Sequence, residues 1–180
     1  MADTIALMRE RVLDMAIRGE LVEQRPEEGT GKELYRDIEQ EKDQLMKSGK
    51  IKKEKNFPLV SKKEEPFEIP INWTWVRLGS LTAAEDDSFS DGPFGSNLKT
   101  IHYTENPEVR IIQLNNVGEG IWKDKGRKYT TYQHAAVLKR YNIKPGDMVI
   151  AKMMPAGRTI IIPEVEDRYI VSSDNVKFVP

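Results

Sequence analysis

The chain has 180 residues, enough for one globular domain with an appendage or for two small domains. It contains no cysteine, which excludes disulfides, thiol nucleophiles and the usual structural zinc sites. A formal net charge of -1 excludes a uniformly basic nucleic-acid binder but leaves the distribution of charge open. No apolar run approaches the roughly 20 residues of a membrane span. Met1 to Gly19 mixes acids and bases where a secretory leader needs an uninterrupted apolar stretch, so a cytoplasmic protein is expected.

Asp3 or Thr4 is the expected cap of a first helix in which Ile5, Met8, Val12 and Met15 recur at helical spacing. Leu7, Leu13 and Ile17 widen the stripe, and Gly19 ends it. So apolar a helix needs a partner, either its own domain or another subunit, and Ile5, Met8, Val12, Met15 and Ile17 are the candidate partner-binding residues. Thr30-Gly31-Lys32-Glu33 predicts a capping box for a second helix reaching about Lys47, with Ser48-Gly49 closing it. Its remaining faces are so polar that a surface or bridging position is expected.

These helices make up a segment 1–48. A basic stretch, 49–65, follows, with Lys50, Lys52, Lys53, Lys55, Lys62 and Lys63; it reads either as a solvated tether or as a contact to phosphates. Pro66, Pro70 and Asn72 mark entry into a domain spanning 66–180, opened by an expected strand, Trp73 to Leu78. Further strands are predicted at Val109 to Leu114, Lys128 to Tyr132, Met148 to Lys152, Arg158 to Ile162, Tyr169 to Val171 and Val176 to Val179. A short helix is predicted over Gln133 to Lys139, and Lys144-Pro145-Gly146-Asp147 is a strong turn. The fold class is α+β: N-terminal helices, then a mainly β domain with an irregular sheet.

Three blocks carry a resemblance. They are Asp91-Gly92-Pro93-Phe94-Gly95-Ser96-Asn97-Leu98-Lys99, then Arg110 to Val117, then Ile143 to Lys152, with Gly157-Arg158 leading into an apolar strand. In order and spacing they resemble a target recognition domain of the specificity (S) subunit of type I restriction-modification systems. Arg11 to Val22 is similar to the segment that accompanies such domains, and Glu68 to Gly79 resembles their entrance.

The resemblance implies a non-catalytic subunit that reads one half of a split DNA sequence and holds modification subunits. Those subunits carry the methyl transfer and its S-adenosylmethionine, so no cofactor is expected in this chain. Restriction subunits complete the complex, and a second specificity chain is a further partner. Family members usually carry two recognition domains separated by long helices. This chain departs from that by stopping at Pro180, so a fragment with an incomplete domain, a truncated product and a half-subunit are all open.

Reading a duplex needs cations for phosphates and paired donors and acceptors for base edges. Gln113, Asn115 and Asn116 follow an apolar strand, where amides can meet adenine; turn formation is the other reading, favoured for Asn116. Lys123, Lys125, Arg127 and Lys128 concentrate positive charge around the lone Asp124, either as a phosphate contact or as a solvated loop. Lys152 and Arg158 flank a constrained loop whose Met153 and Met154 are expected in the core. In the opening motif, Phe94 is expected to anchor the loop in the core, leaving Ser96, Asn97 and Lys99 as contacts.

His102 and His134 read as isolated surface or core histidines. The cluster Glu85-Asp86-Asp87 near Asp91 suggests either a solvated acidic patch or a magnesium-dependent nuclease, the former being favoured. The main alternative to DNA recognition is a protein-interaction scaffold without DNA binding of its own.

Overall fold

In the computed structural model, residues 2–53 and 57–180 are described, and they divide into two compact units, Met1–Leu81 and Thr82–Pro180. The side chain of Asp3 and, in the basic stretch, Glu54, Lys55 and Asn56 lie outside the described residues. The segment 66–81, grouped by sequence with the recognition domain, falls within the first unit.

In the first unit, helix α1 runs Ala2–Ile17. It begins ahead of both capping candidates, so Thr4 lies inside the helix rather than at its cap. Gly19 follows at a φ of 70°, where a Cβ would lie 2.5 Å from Pro70 Cγ; both the left-handed backbone and the close approach require glycine. Helix α2 spans Gly31–Lys47, with the predicted capping box: Glu33 N donates to Thr30 Oγ1 (3.2 Å) and Thr30 N donates to Glu33 Oε2 (3.0 Å). Its polar faces are largely exposed as expected, although Lys42 is buried.

The strand expected at Trp73 to Leu78 does not form. Its alternating side chains are anchors instead: Trp73 Nε1 donates to Gln24 Oε1 (2.8 Å), Trp75 packs edge-on to Phe67, and Arg77 reaches Pro58 O and Glu64. A two-residue period arises equally from a chain pinned on alternate sides, and here no ladder partner is present among the described residues.

The second unit is built, among the described residues, on two sheets. Strands β1 (Phe89–Asp91), β6 (Met148–Ala151), β7 (Thr159–Ile161) and β9 (Asn175–Phe178) form an antiparallel sheet in the order β1-β9-β6-β7. Strands β2 (Tyr103–Thr104), β3 (Val109–Ile112), β4 (Tyr129–Thr130), β5 (Asn142–Ile143) and β8 (Tyr169–Val171) form a mixed sheet in the order β2-β4-β3-β8-β5, with β3 and β8 parallel. The α+β expectation is borne out.

Strand alternation sorts the core. Ile112 and Val171 join Val149, Ile160 and Ile162 in one cluster, while Val109, Ile111 and Ile170 point the other way, against Ala135 and Leu138. Ala135 belongs to α3 (Tyr132–Val137), capped by Thr131, whose Oγ1 accepts from His134 N. Because that cap starts the helix at Tyr132, the strand predicted to reach Tyr132 stops at Thr130.

Candidate nucleic-acid interface

Strand β3 delivers the chain to residues 113–116 at its C-terminal end, and the segment 123–128 leads back into β4 beside it. Asn116 joins the two. Fully buried, it accepts from Gln113 N at Oδ1 (2.9 Å), and its Nδ2 donates to Lys123 O (2.9 Å) and Lys125 O (2.7 Å). Its amide is spent inside the protein, so the expectation that Asn116 touches a base is corrected: it is a loop clamp.

Asn115 is exposed and Gln113 half-buried, and both border Gly126, whose would-be Cβ lies 3.0 Å from Asn115 Nδ2 and 3.9 Å from Gln113 Oε1. Around them Lys123, Lys125, Arg127 and Lys128 are all exposed. Two amides and four cations from separate parts of the sequence thus share one loop surface. Amides can pair with base edges, and the cations can meet phosphates.

Beneath this surface sits a network that sequence reasoning missed. Arg110, on β3, is 1% exposed; its Nη2 donates to Asp124 Oδ1 (3.0 Å) and Lys125 O (3.4 Å), and its Nη1 donates to Tyr129 Oη (3.4 Å). The Tyr129 hydroxyl in turn donates to Glu166 Oε1 (2.8 Å), and Arg110 faces the rings of Trp122 and Tyr129. Arg127 grips the other side of the Asp124 carboxylate, and this bond, followed by the field of both arginines, holds Asp124 below the usual carboxylate range. One signal was visible: a charged residue inside the otherwise apolar Val109-Arg110-Ile111-Ile112, with one acid among the bases at 123–128.

Other candidates fall elsewhere. Lys152 is exposed and pairs with Asp91 (3.4 Å), while half-buried Arg158 donates from Nε to Pro155 O (3.0 Å). Met153 and Met154, expected in the core, are 51% and 83% exposed at the tip of that loop. Gly120 N donates to Thr159 O, tying the turn beyond Asn116 to the strand that follows Arg158.

Ser96, Asn97 and Lys99 are exposed; Ser96 Oγ donates to Asn97 Oδ1 (3.4 Å), while the backbones of Asn97 and Lys99 meet the two histidines. His134 Nε2 donates to Asn97 O (2.8 Å), His102 Nδ1 accepts from Lys99 N (3.0 Å), and the rings stack 4.1 Å apart. The histidines are therefore a pair that secures this loop; spacing in sequence could not reveal it. Phe94, expected to be an anchor, is 80% exposed, and buried Pro93 takes the inward position instead.

Among the described residues no group of three or more His, Asp or Glu side chains is placed to hold a metal ion. Asp87 pairs with Arg140 (3.4 Å) and Asp91 with Lys152. On α1, Ile5, Met8, Val12 and Ile17 are exposed, together with Leu7 and Leu13, while Met15 is half-buried. Among the described residues no helix is long and apolar enough to cross a membrane.

No protein-family model matches the chain. It is 27% identical over 178 residues, 97% of its length, to the type I restriction enzyme EcoEI specificity subunit of Escherichia coli. It is 37% identical over 152 residues, 84% of its length, to the EcoAI specificity subunit of the same organism. The chain is homologous to type I restriction enzyme specificity subunits. It spans 29% and 24% of the length of those two relatives. A solved chain described under complex assembly and conformational transition of the type I R-M system aligns over 99% of this chain and 35% of its own, at 18% identity and a TM-score of 0.46. The family resemblance read from the three sequence blocks is borne out by these homologues.

Proposed function

We propose that this chain is a sequence-reading part of a type I restriction-modification complex, binding one half of a bipartite DNA target without catalysing a reaction itself. The observation that carries the reading is the shared loop surface of Gln113 and Asn115 with Lys123, Lys125, Arg127 and Lys128, in a chain homologous to specificity subunits. The lysines supply the sequence-independent attraction to phosphates; the amides supply selection among bases.

The exposed apolar stripe of α1 is the docking face for modification subunits, which bring S-adenosylmethionine and the methyl transfer; restriction subunits complete the assembly. A solvent-facing row of Ile5, Met8, Val12 and Ile17 is costly to leave uncovered, which favours a protein partner over a solvated helix.

Duplex binding by the chain together with modification subunits, measured against salt, tests the reading. Affinity should fall steeply with salt, and each of Lys123→Gln, Lys125→Gln and Lys128→Gln should reduce the slope by up to about 0.9. No detectable binding at low salt would overturn it. Val12→Asp and Ile17→Asp should abolish capture of modification subunits; retained capture would remove α1 from the interface.

A further inference from the structure

Segment 123–128 is basic and irregular, and like charges on such a segment spread it into solvent unless something holds it. Two buried side chains do so. Asn116 holds the carbonyls of Lys123 and Lys125. Arg110 holds the carboxylate between them and shares the Lys125 carbonyl. Lys125 N donates to Lys123 O (2.8 Å), a tight turn centred on Asp124 that aims its carboxylate at Arg110 and leaves Lys123 and Lys125 exposed.

Arg110 cannot itself reach a ligand, being 1% exposed and engaged with Asp124, Lys125 and Tyr129. Its fork is fixed from below by the Tyr129 hydroxyl, which Glu166 holds from the segment preceding β8. Buried charge of this kind stands only when paired, and here the pair joins the rigid centre of a sheet to a loop. Gly126, two residues beyond Asp124, faces the same amides: a Cβ there would stand 3.0 Å from Asn115 Nδ2 and 3.9 Å from Gln113 Oε1. Asn116 ties the loop to the segment that carries the amides, accepting from Gln113 N while donating to Lys123 O and Lys125 O, so displacement of the loop displaces the amides.

We propose that Arg110 is a positioning residue for sequence discrimination: through Asp124 it sets the register of the 123–128 segment, and through Asn116 and Gly126 that of Gln113 and Asn115. The inference rests on the DNA-reading proposal and adds a division of labour. Outer lysines give affinity for any duplex, while the Arg110-Asp124 link gives selectivity among duplexes.

The test uses the full chain with modification subunits, a duplex selected by the parent complex from a pool of random base pairs, and a scrambled duplex of the same length. Arg110→Lys keeps the charge and loses the fork; Tyr129→Phe is a milder variant that removes only the hydroxyl linking Arg110 to Glu166. For folded variants, as judged by thermal melting, affinity for the scrambled duplex and its salt slope should match the parent. Preference for the selected duplex should fall about 10-fold, the order of one good amide–base pair. Equal discrimination by parent and variants would overturn the inference alone, as would a parallel loss on both duplexes, which is what a merely structural role predicts. A parent complex that binds neither duplex at low salt overturns the DNA-reading proposal and this inference with it.

Discussion

A methyl group placed on Gly126 would stand 3.0 Å from Asn115 Nδ2. Gly126 also has a φ of 54°, in the left-handed region that side chains resist. Gly126→Ala is therefore expected to cost about 1 kcal/mol in stability from backbone strain and, in addition, to push Asn115 out of place. Gly120→Ala is the matched control, because Gly120 has a φ of 69° and nothing within 4 Å of its would-be Cβ. Both should lower the melting temperature by similar amounts, and only Gly126→Ala should reduce preference among duplexes.

Asn115 and Asn116 are neighbours with opposite fates. Asn116→Ala strips the clamp from two carbonyls and one amide in a fully buried position, an expected loss of about 2–3 kcal/mol in chemical denaturation. Asn115→Ala removes an exposed side chain and should leave stability within about 0.5 kcal/mol, while weakening duplex selection. Reversal of this pattern would show that the reading surface is not where the amides are exposed.

What the sequence made legible follows from range. The α2 capping box and the turn at Lys144 to Asp147 depend on residues within a few positions of one another, and the strand Tyr169–Val171 announces itself by its own apolar run; all three stand as expected. Strands β1, β2 and β5 have two or three residues each and lack the apolar, β-branched run that marks the equally short Tyr169–Val171. The candidate site was visible as residue types: amides after an apolar strand, then a basic loop. Its assembly was not, because Asn116, Arg110 and Gly126 act through contacts that reach residues 7 to 19 positions away, or through backbone geometry. The same limit explains Phe94 and the methionines, whose apolar character suggested burial while the fold left them outside.

The motif Asp91 to Lys99 separates its two glycines. A Cβ on Gly92 would lie 1.9 Å from Ser172 O, a backbone atom that cannot step aside, and Gly92 N donates to Asn175 O at 3.0 Å. Gly95 has nothing within 4 Å of its would-be Cβ, and its φ lies outside the left-handed region. Gly92→Ala should therefore cost 3 kcal/mol or more, on the order of severe overpacking, and lower soluble yield of the chain. Gly95→Ala should change stability by less than about 0.5 kcal/mol. Urea denaturation of the two variants side by side checks the assignment of Gly92, rather than Phe94, as the architectural residue.

The first unit carries its own pH signature. Glu64 accepts from Arg77 Nη2 at 2.6 Å and from the Ser61 backbone and hydroxyl, and these bonds, the arginine's first, depress its pKa to about 2. An unfolded glutamate titrates at about 4.3, so the folded state holds this proton more weakly than the unfolded one. The link therefore stabilises fully above about pH 4.3, and its contribution is lost as pH falls through that value toward about 2. Solvent exposure keeps the effect small, and salt should weaken it further. Glu64→Gln should remove this link's share of the acid dependence: parent and variant converge in stability near pH 2 and separate by pH 5, the parent being the more stable. Melting curves at pH 2, 3, 4 and 5 would decide it, and a gap that does not widen with pH would show that the Arg77 bond contributes nothing to the fold.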